Sequence, residues 1–314
     1  MPYLQDLTVR LALGASQLPD DVRERHGRWL RKQQHPDGGF GGREGGSDPY
    51  YTTFALRGLL ILGHLDPQTA GRAGGFLRSR LEHRESIIDL LSIVFGAAIL
   101  AVNDGIDVFA DDNGRSAAAI AELLESMRTA DGGYAKTQEG RAGSTYQTFL
   151  NLLCCELIEH TPPAVEEIAN FILSQQHDEG GFLEIRVGKR AGVNPTAAAI
   201  GSLKLLGKLT PKIAEDTADF LAPMQSDEGG LTANSRVPFP DLLSSCTGLI
   251  TLVDLCDLDP ALSDAIDPLS LRNYAYQMER PDGGFAGFVM DPDQDVEYTF
   301  YGLATLALCA LMET

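Results

Sequence analysis

Apolar residues recur along the chain in two alternating rhythms. In "PAVEEIANFILSQQ", Val165, Ile168 and Ile172 stand at helical spacing among charged neighbours, which predicts an amphipathic helix with one buried face. In "TYQTFLNLLCCELI" and "PTAAAIGSLKLLG", small and apolar residues occupy nearly every side, and such a helix is an interior one. "YTTFALRGLLILG", "LLSSCTGLITLVDL" and "EYTFYGLATLALCAL" are of the same interior kind. Between each amphipathic helix and the interior helix after it lies a glycine turn: "QQHPDGGF", "RTADGGY", "QQHDEGGF", "QSDEGGL" and "ERPDGGF".

The second glycines of these turns are Gly39, Gly133, Gly181, Gly230 and Gly284, at intervals of 94, 48, 49 and 54 residues. The first interval is two units long, so a sixth unit is expected near residue 85, where "EHRESIIDLLSIVFGAAIL" keeps the interior helix without the glycines. A repeat of this period is one supersecondary unit copied along the chain. Glycine accepts the left-handed conformation, so each turn is expected to end its outer helix. The interior helices begin after Asp48, Ser144, Asn194, Asp241 and Asp295, all strong N-cap types, with Pro49 and Pro195 read as first-turn prolines. Six outer helices alternating with six inner ones predict an all-α fold, an α/α toroid, as a single domain over residues 1–314. The loops between turn and cap would gather at one end.

Composition narrows the field without choosing a function. The net charge of −19 argues against nucleic-acid backbones and anionic membranes as main partners. The longest apolar stretches fall short of the ~20 residues of a membrane span. The N-terminal segment lacks a cationic region followed by an apolar run, and no CxxC pair occurs among the five cysteines, so a reducing cytoplasmic setting with free thiols is expected.

The order helix, "QQxxDGGF", loop, "DPYYTTF" and inner helix resembles the repeat of the prenyltransferase and terpene-cyclase toroids. The segments "SDPYYTTFALRGLLILGHLD", "GGLTANSRVPFPDLLSSC" and "GGFAGFVMDPDQDVEYTFYGLATLAL" are most similar to the β subunit of protein prenyltransferases of the Rab geranylgeranyltransferase type. That resemblance implies a helical-repeat α subunit as partner and a catalytic zinc held by Asp, Cys and His. Here those positions are Asp241, Leu243 and Tyr298, with Cys246 one turn further on, so zinc is not expected. The family's diphosphate-binding histidine and lysine positions are not matched either, and Arg236 matches the arginine with a one-residue shift.

The loops carry the remaining candidates. Lys136 and Arg141, then Arg186, Lys189 and Arg190, then Arg236 would form an anion site at one mouth. Alternatively they are loop charges partnered by the acidic surplus. Asp291, Asp293, Asp295 and Glu297 crowd into the last loop, where they would hold Mg2+ against a diphosphate. Crowding could equally keep one of them protonated as the acid of a class II terpene cyclase. Its DxDD motif is only partly matched, with Val296 at the last aspartate position. Tyr50, Tyr51, Phe54, Tyr146, Phe149, Tyr298, Phe300 and Tyr301 open the inner helices and suit an isoprenoid tail or core packing alike.

The leading reading is therefore a prenyltransferase-like protein that binds an isoprenoid diphosphate without zinc-dependent protein prenylation. Asp293, Asp295, Tyr298 and Asp241 are its candidate catalytic residues. Arg141, Arg186, Lys189, Arg190, Arg236, Tyr51, Tyr146 and Cys246 are its candidate substrate contacts. A class II cyclase-like acid catalyst and a non-catalytic isoprenoid binder are the alternatives. A glycosidase toroid ranks last, because Trp29 is the only tryptophan available to stack on sugars.

Overall fold

A computed structural model describes residues 2–81, 87–110 and 115–313. Outer helices are α2 (Asp20–Lys32), α4 (Pro67–Arg80), α6 (Arg115–Glu125), α8 (Val165–Leu173), α10 (Pro211–Leu221) and α12 (Pro268–Met278). They alternate with the inner helices α3 (Pro49–Ile61), α5 (Ile87–Asp104), α7 (Thr145–Leu157), α9 (Val193–Leu205), α11 (Leu242–Cys256) and α13 (Val296–Met312). This is the all-α architecture expected of the two rhythms. The turn expected near residue 85 lies outside the described residues; α5 follows it as predicted. A further helix, α1 (Tyr3–Ala15), precedes the repeats and packs on α13 and α3. Nothing in the repeat pattern announced it.

Two compact units make up the chain: Met1–Ser116 with Ala275–Thr314, and Ala117–Tyr274. The first holds repeats one, two and six and is called unit 1 below; the second, unit 2, holds repeats three to five. In unit 2, α9 packs between α7 and α11. In unit 1, α3 packs against α13 and α5.

The glycine turns differ from the expectation in one respect. The outer helices end before them, in right-handed residues such as Gln33 and Ser174. The turn is a hairpin of its own, with Gly38 N donating to His35 O and His35 N to Gly39 O. Its left-handed residue is the first glycine, at φ +95° in Gly38 and +91° in Gly180, and in repeat six both glycines are left-handed, Gly283 at +108° and Gly284 at +83°. The requirement for glycine is also steric. A Cβ on Gly38 would lie 2.3 Å from the carbonyl oxygen of Arg72 on α4, and one on Gly180 would lie 2.1 Å from that of Asp216 on α10. The second glycine lies against a ring of the next outer helix: Phe76, Phe171, Phe220 and Tyr274 in turn, then Trp29 of α2 under Gly284. The lone tryptophan is thus the repeat's packing ring. The left-handed helix ends expected here occur instead after inner helices, at Gly63, Gly105, Gly207 and the non-glycine Glu159.

The loop is then pinned to its inner helix by one hydroxyl. Backbone N–H groups of Phe40, Tyr134, Phe182, Leu231 and Phe285 donate to Thr52, Thr148, Thr196, Ser245 and Thr299 at 2.8–3.1 Å. Each hydroxyl stands four residues after the N-cap. Asp48, Ser144, Asp241 and Asp295 are those caps. Repeat four departs from the prediction: Gly192 is its N-cap, while Asn194 and Pro195 stand inside the helix. Asn194 Oδ1 accepts from Thr247 Oγ1 at 2.6 Å instead.

Candidate functional site

In unit 1 the carboxylates of the last loop are organised by a cation from the first. Arg43 donates Nη1 and Nη2 to the two oxygens of Asp291 at 2.8 and 2.6 Å, and Nε to Asp295 Oδ2 at 2.7 Å. Asp291 also accepts from Gly287 N, and Asp295 Oδ1 from Tyr298 N as the cap of α13. Burial works against the charge of Asp291, but the Arg43 bonds outweigh it and hold the carboxyl below its ordinary range. Those same bonds push the Arg43 guanidinium further up. Asp291 and Asp295 therefore form an ion-paired clasp between repeats six and one, and Asp291 is held down by Arg43 where the crowding argument expects a raised carboxyl. With their oxygens so engaged, they do not fit a magnesium site. Asp293 is exposed. The Tyr298 ring lies 5.6 Å from the Arg43 guanidinium.

Glu297 has a different environment. Its Oε1 accepts from Tyr50 Oη at 2.6 Å and Tyr301 Oη at 3.2 Å. Tyr50 meets Tyr51 and Phe54 edge-on, Phe54 meets Phe300 and Tyr301, and Arg57 lies 3.9 Å above the Phe300 ring. Burial, then the Asp295 charge, push the Glu297 carboxyl up. Tyr51 is half-buried beside it and its phenol is raised by burial and by Glu297. An acid set among aromatic faces can deliver a proton, and the rings can stabilise a cation that results.

In unit 2 the loops of three successive repeats are joined edge to edge. Thr145 N donates to Glu184 O, and Val193 N to Ala233 O, both at 2.9 Å. Among the described residues, Lys136, Arg141, Arg186, Lys189 and Arg236 have neither an ion pair nor a side-chain hydrogen bond. Arg190 has one long bond, to Ser235 Oγ at 3.3 Å. The acidic surplus does not partner them. Their neighbour Glu184 is turned inward, where Ser144 Oγ donates to it and burial raises its carboxyl. Tyr146, on α7 just beyond, is 41% exposed.

Asp241 caps α11, accepting from Ser244 N and Oγ at 2.7 and 2.9 Å, and burial raises its carboxyl. Cys246 is fully buried. Leu243 supplies no ligand, and both oxygens of Asp241 are engaged, so these residues do not fit a catalytic zinc. Two features of this site escaped the sequence reading: Arg43, the only base in the first loop, and the pairing of Glu297 with Tyr50 across 247 residues. Charge complementarity between first and last loops was the available signal for Arg43.

The sequence matches the model of the prenyltransferase alpha-alpha toroid domain over residues 7–314. No curated protein sequence matches the chain. In structure it is similar to Candida albicans protein geranylgeranyltransferase-I complexed with GGPP, at TM-score 0.70 and 16% identity over 91% of each chain. A variant of the type II terpene cyclase MstE from Scytonema, in complex with geranylgeranyl dihydroxybenzoate, has TM-score 0.65 and 13% identity over 98% of this chain and 99% of that one. The GH76A alpha-1,6-mannanase from Salegentibacter has TM-score 0.64 and 12% identity over 93% and 99%. Such identities speak for the fold alone. The family match runs through all the glycine turns, and on that ground this protein belongs to the prenyltransferase α/α-toroid domain family.

Proposed function

We propose that the protein binds an isoprenoid diphosphate without zinc, with the diphosphate held by Arg141, Arg186, Lys189, Arg190 and Arg236. The observation that carries this reading is that these cations lack carboxylate partners in a chain with 19 more acids than bases. Unpartnered guanidinium groups on adjoining loops are the arrangement that bidentate phosphate recognition uses. Tyr146 offers an aromatic face beside them to the first prenyl carbons. The test is calorimetry with geranylgeranyl diphosphate in chelator. One-to-one binding is expected, weakened at least roughly tenfold in the Arg186→Gln, Lys189→Gln, Arg190→Gln variant. Absence of binding, or equal binding by the variant, overturns the reading.

A second reading rests on Glu297 rather than on Asp293 and Asp295. A carboxyl raised by burial among Tyr50, Phe54 and Tyr301 could, in its protonated form, transfer its proton to a prenyl double bond, giving a tertiary cation that closes a ring and returns a proton. Deuterium from solvent would then appear in a cyclised product. The Glu297→Gln variant would form none while keeping diphosphate affinity. Unchanged prenyl ligand after incubation with the parent protein removes this second reading and leaves the first.

A further inference from the structure

The cations of unit 2 do not stand alone on their loops; aliphatic and aromatic side chains are exposed between them. In repeat four, Gly188 N donates to Ile185 O at 2.8 Å, closing a turn that holds Arg186 and Val187 at its tip. Val187 is 82% exposed, and Lys189 follows directly. In repeat five, Val237 N donates to Asn234 O at 3.1 Å, and Arg236 N to Asn234 Oδ1 at 3.0 Å, so Arg236 heads a second turn. Phe239 follows at 51% exposure. The two loops are tied together by the Val193–Ala233 and Arg190–Ser235 bonds.

Val187 at its turn tip stands largely in water, and Phe239 beside the second turn leaves about half of its surface there, so both offer apolar area to a partner. Cations interleaved with them select the partner by charge. Loops 135–143, 183–191 and 232–240 together hold six basic residues against Glu139 and Glu184, a surplus of four if both acids are charged, and Glu184 points inward. The overall charge of −19 does not describe this face, because opposite charge elsewhere is screened beyond ~8 Å at physiological salt. A protein partner would have to present acids to the cations and apolar side chains to Val187 and Phe239 at matching positions. An anionic bilayer complements both: headgroups meet the cations while the tips enter the interface.

We propose that the loops of repeats four and five dock on an anionic membrane surface. This goes beyond the diphosphate reading, since Val187 and Phe239 have no part in holding a diphosphate. The experiment is co-sedimentation of the full chain with phosphatidylcholine vesicles, with and without about 30% phosphatidylserine, the quantity that gives a strongly negative surface. Binding is expected only to the anionic vesicles and is expected to be lost near 0.5 M salt, where the Debye length falls to about 4 Å. Val187→Asp with Phe239→Asp should weaken it at least roughly tenfold. Arg186→Gln and Lys189→Gln should each weaken it about fivefold. Far-ultraviolet circular dichroism and a thermal melt of the double-Asp variant serve as the fold control and should match the parent. Failure to bind anionic vesicles, equal binding to neutral ones, or undiminished binding by the double-Asp variant overturns the proposal. Vesicle binding without diphosphate binding would defeat only the earlier reading.

Discussion

The loops of unit 1 and of unit 2 are built on the same turn, yet they handle charge in opposite ways. In unit 1 the one basic residue of the first loop, Arg43, is saturated by Asp291 and Asp295 of the last, and the result is an internal clasp. In unit 2 the basic residues of three adjoining loops have no carboxylate partner, and Glu184 of the same loops accepts from Ser144, the cap of α7. A repeat therefore specifies where loops go and leaves their chemistry open. Unit 1 uses its loop charges for cohesion, with an aromatic-walled acid beside them. Unit 2 presents its loop charges to solvent.

Arg43→Met is the strongest way to break that contrast. It strands two buried carboxylates, and the loss should be about 3 kcal/mol, at the low end for a broken buried pair because Arg43 is partly solvated. The depressed Asp291 contributes stability that is complete above the ordinary carboxylate pKa of about 3.9 and is lost as pH falls through its lower folded value. Urea titrations should accordingly find the largest difference from the parent at neutral pH and a smaller one in strong acid.

Next in size, Thr52→Val in unit 1 and Thr196→Val in unit 2 should each lose about 2 kcal/mol, since each leaves a buried N–H, of Phe40 or Phe182, without its acceptor. Similar losses would show that the shared scaffold is equally needed in both units; a loss in one alone would show that the repeats are not equivalent. Glu159→Gly should stabilise by about 1 kcal/mol in thermal melts, because a left-handed residue here (φ 54°) stands where three other inner helices use glycine.

Glu297→Gln tests the acid of unit 1. A raised carboxyl favours folding below its unfolded pKa, and that advantage disappears as pH rises through the folded value. The variant should match the parent at pH 4 and gain relative stability toward pH 8; a gap constant across pH would mean the carboxyl is not raised. Smallest of all, Gln at Arg186, Lys189 and Arg190 should change stability by no more than about 0.5 kcal/mol, because no folded-state bond of consequence is removed. A larger loss would make these residues structural and close the gap between the two units.

The alternation of amphipathic and apolar helices, the five glycine turns and the caps at Asp48, Ser144, Asp241 and Asp295 were all determined by sequence, since each depends on a few neighbouring residues. The cap of repeat four was legible too, through Thr196 four residues after Gly192, but a stronger cap type at Asn194 hid it. What only the tertiary structure decided is which charges meet. Arg43 and Asp291 are 248 residues apart, and Tyr50 and Glu297 are 247 apart, so no local pattern links them. Periodicity brings loops of neighbouring repeats together but does not say whether a cation finds a carboxylate there or water. That outcome depends on distances of a few ångströms between side chains far apart in the chain, and it separates the clasp of unit 1 from the open cationic face of unit 2.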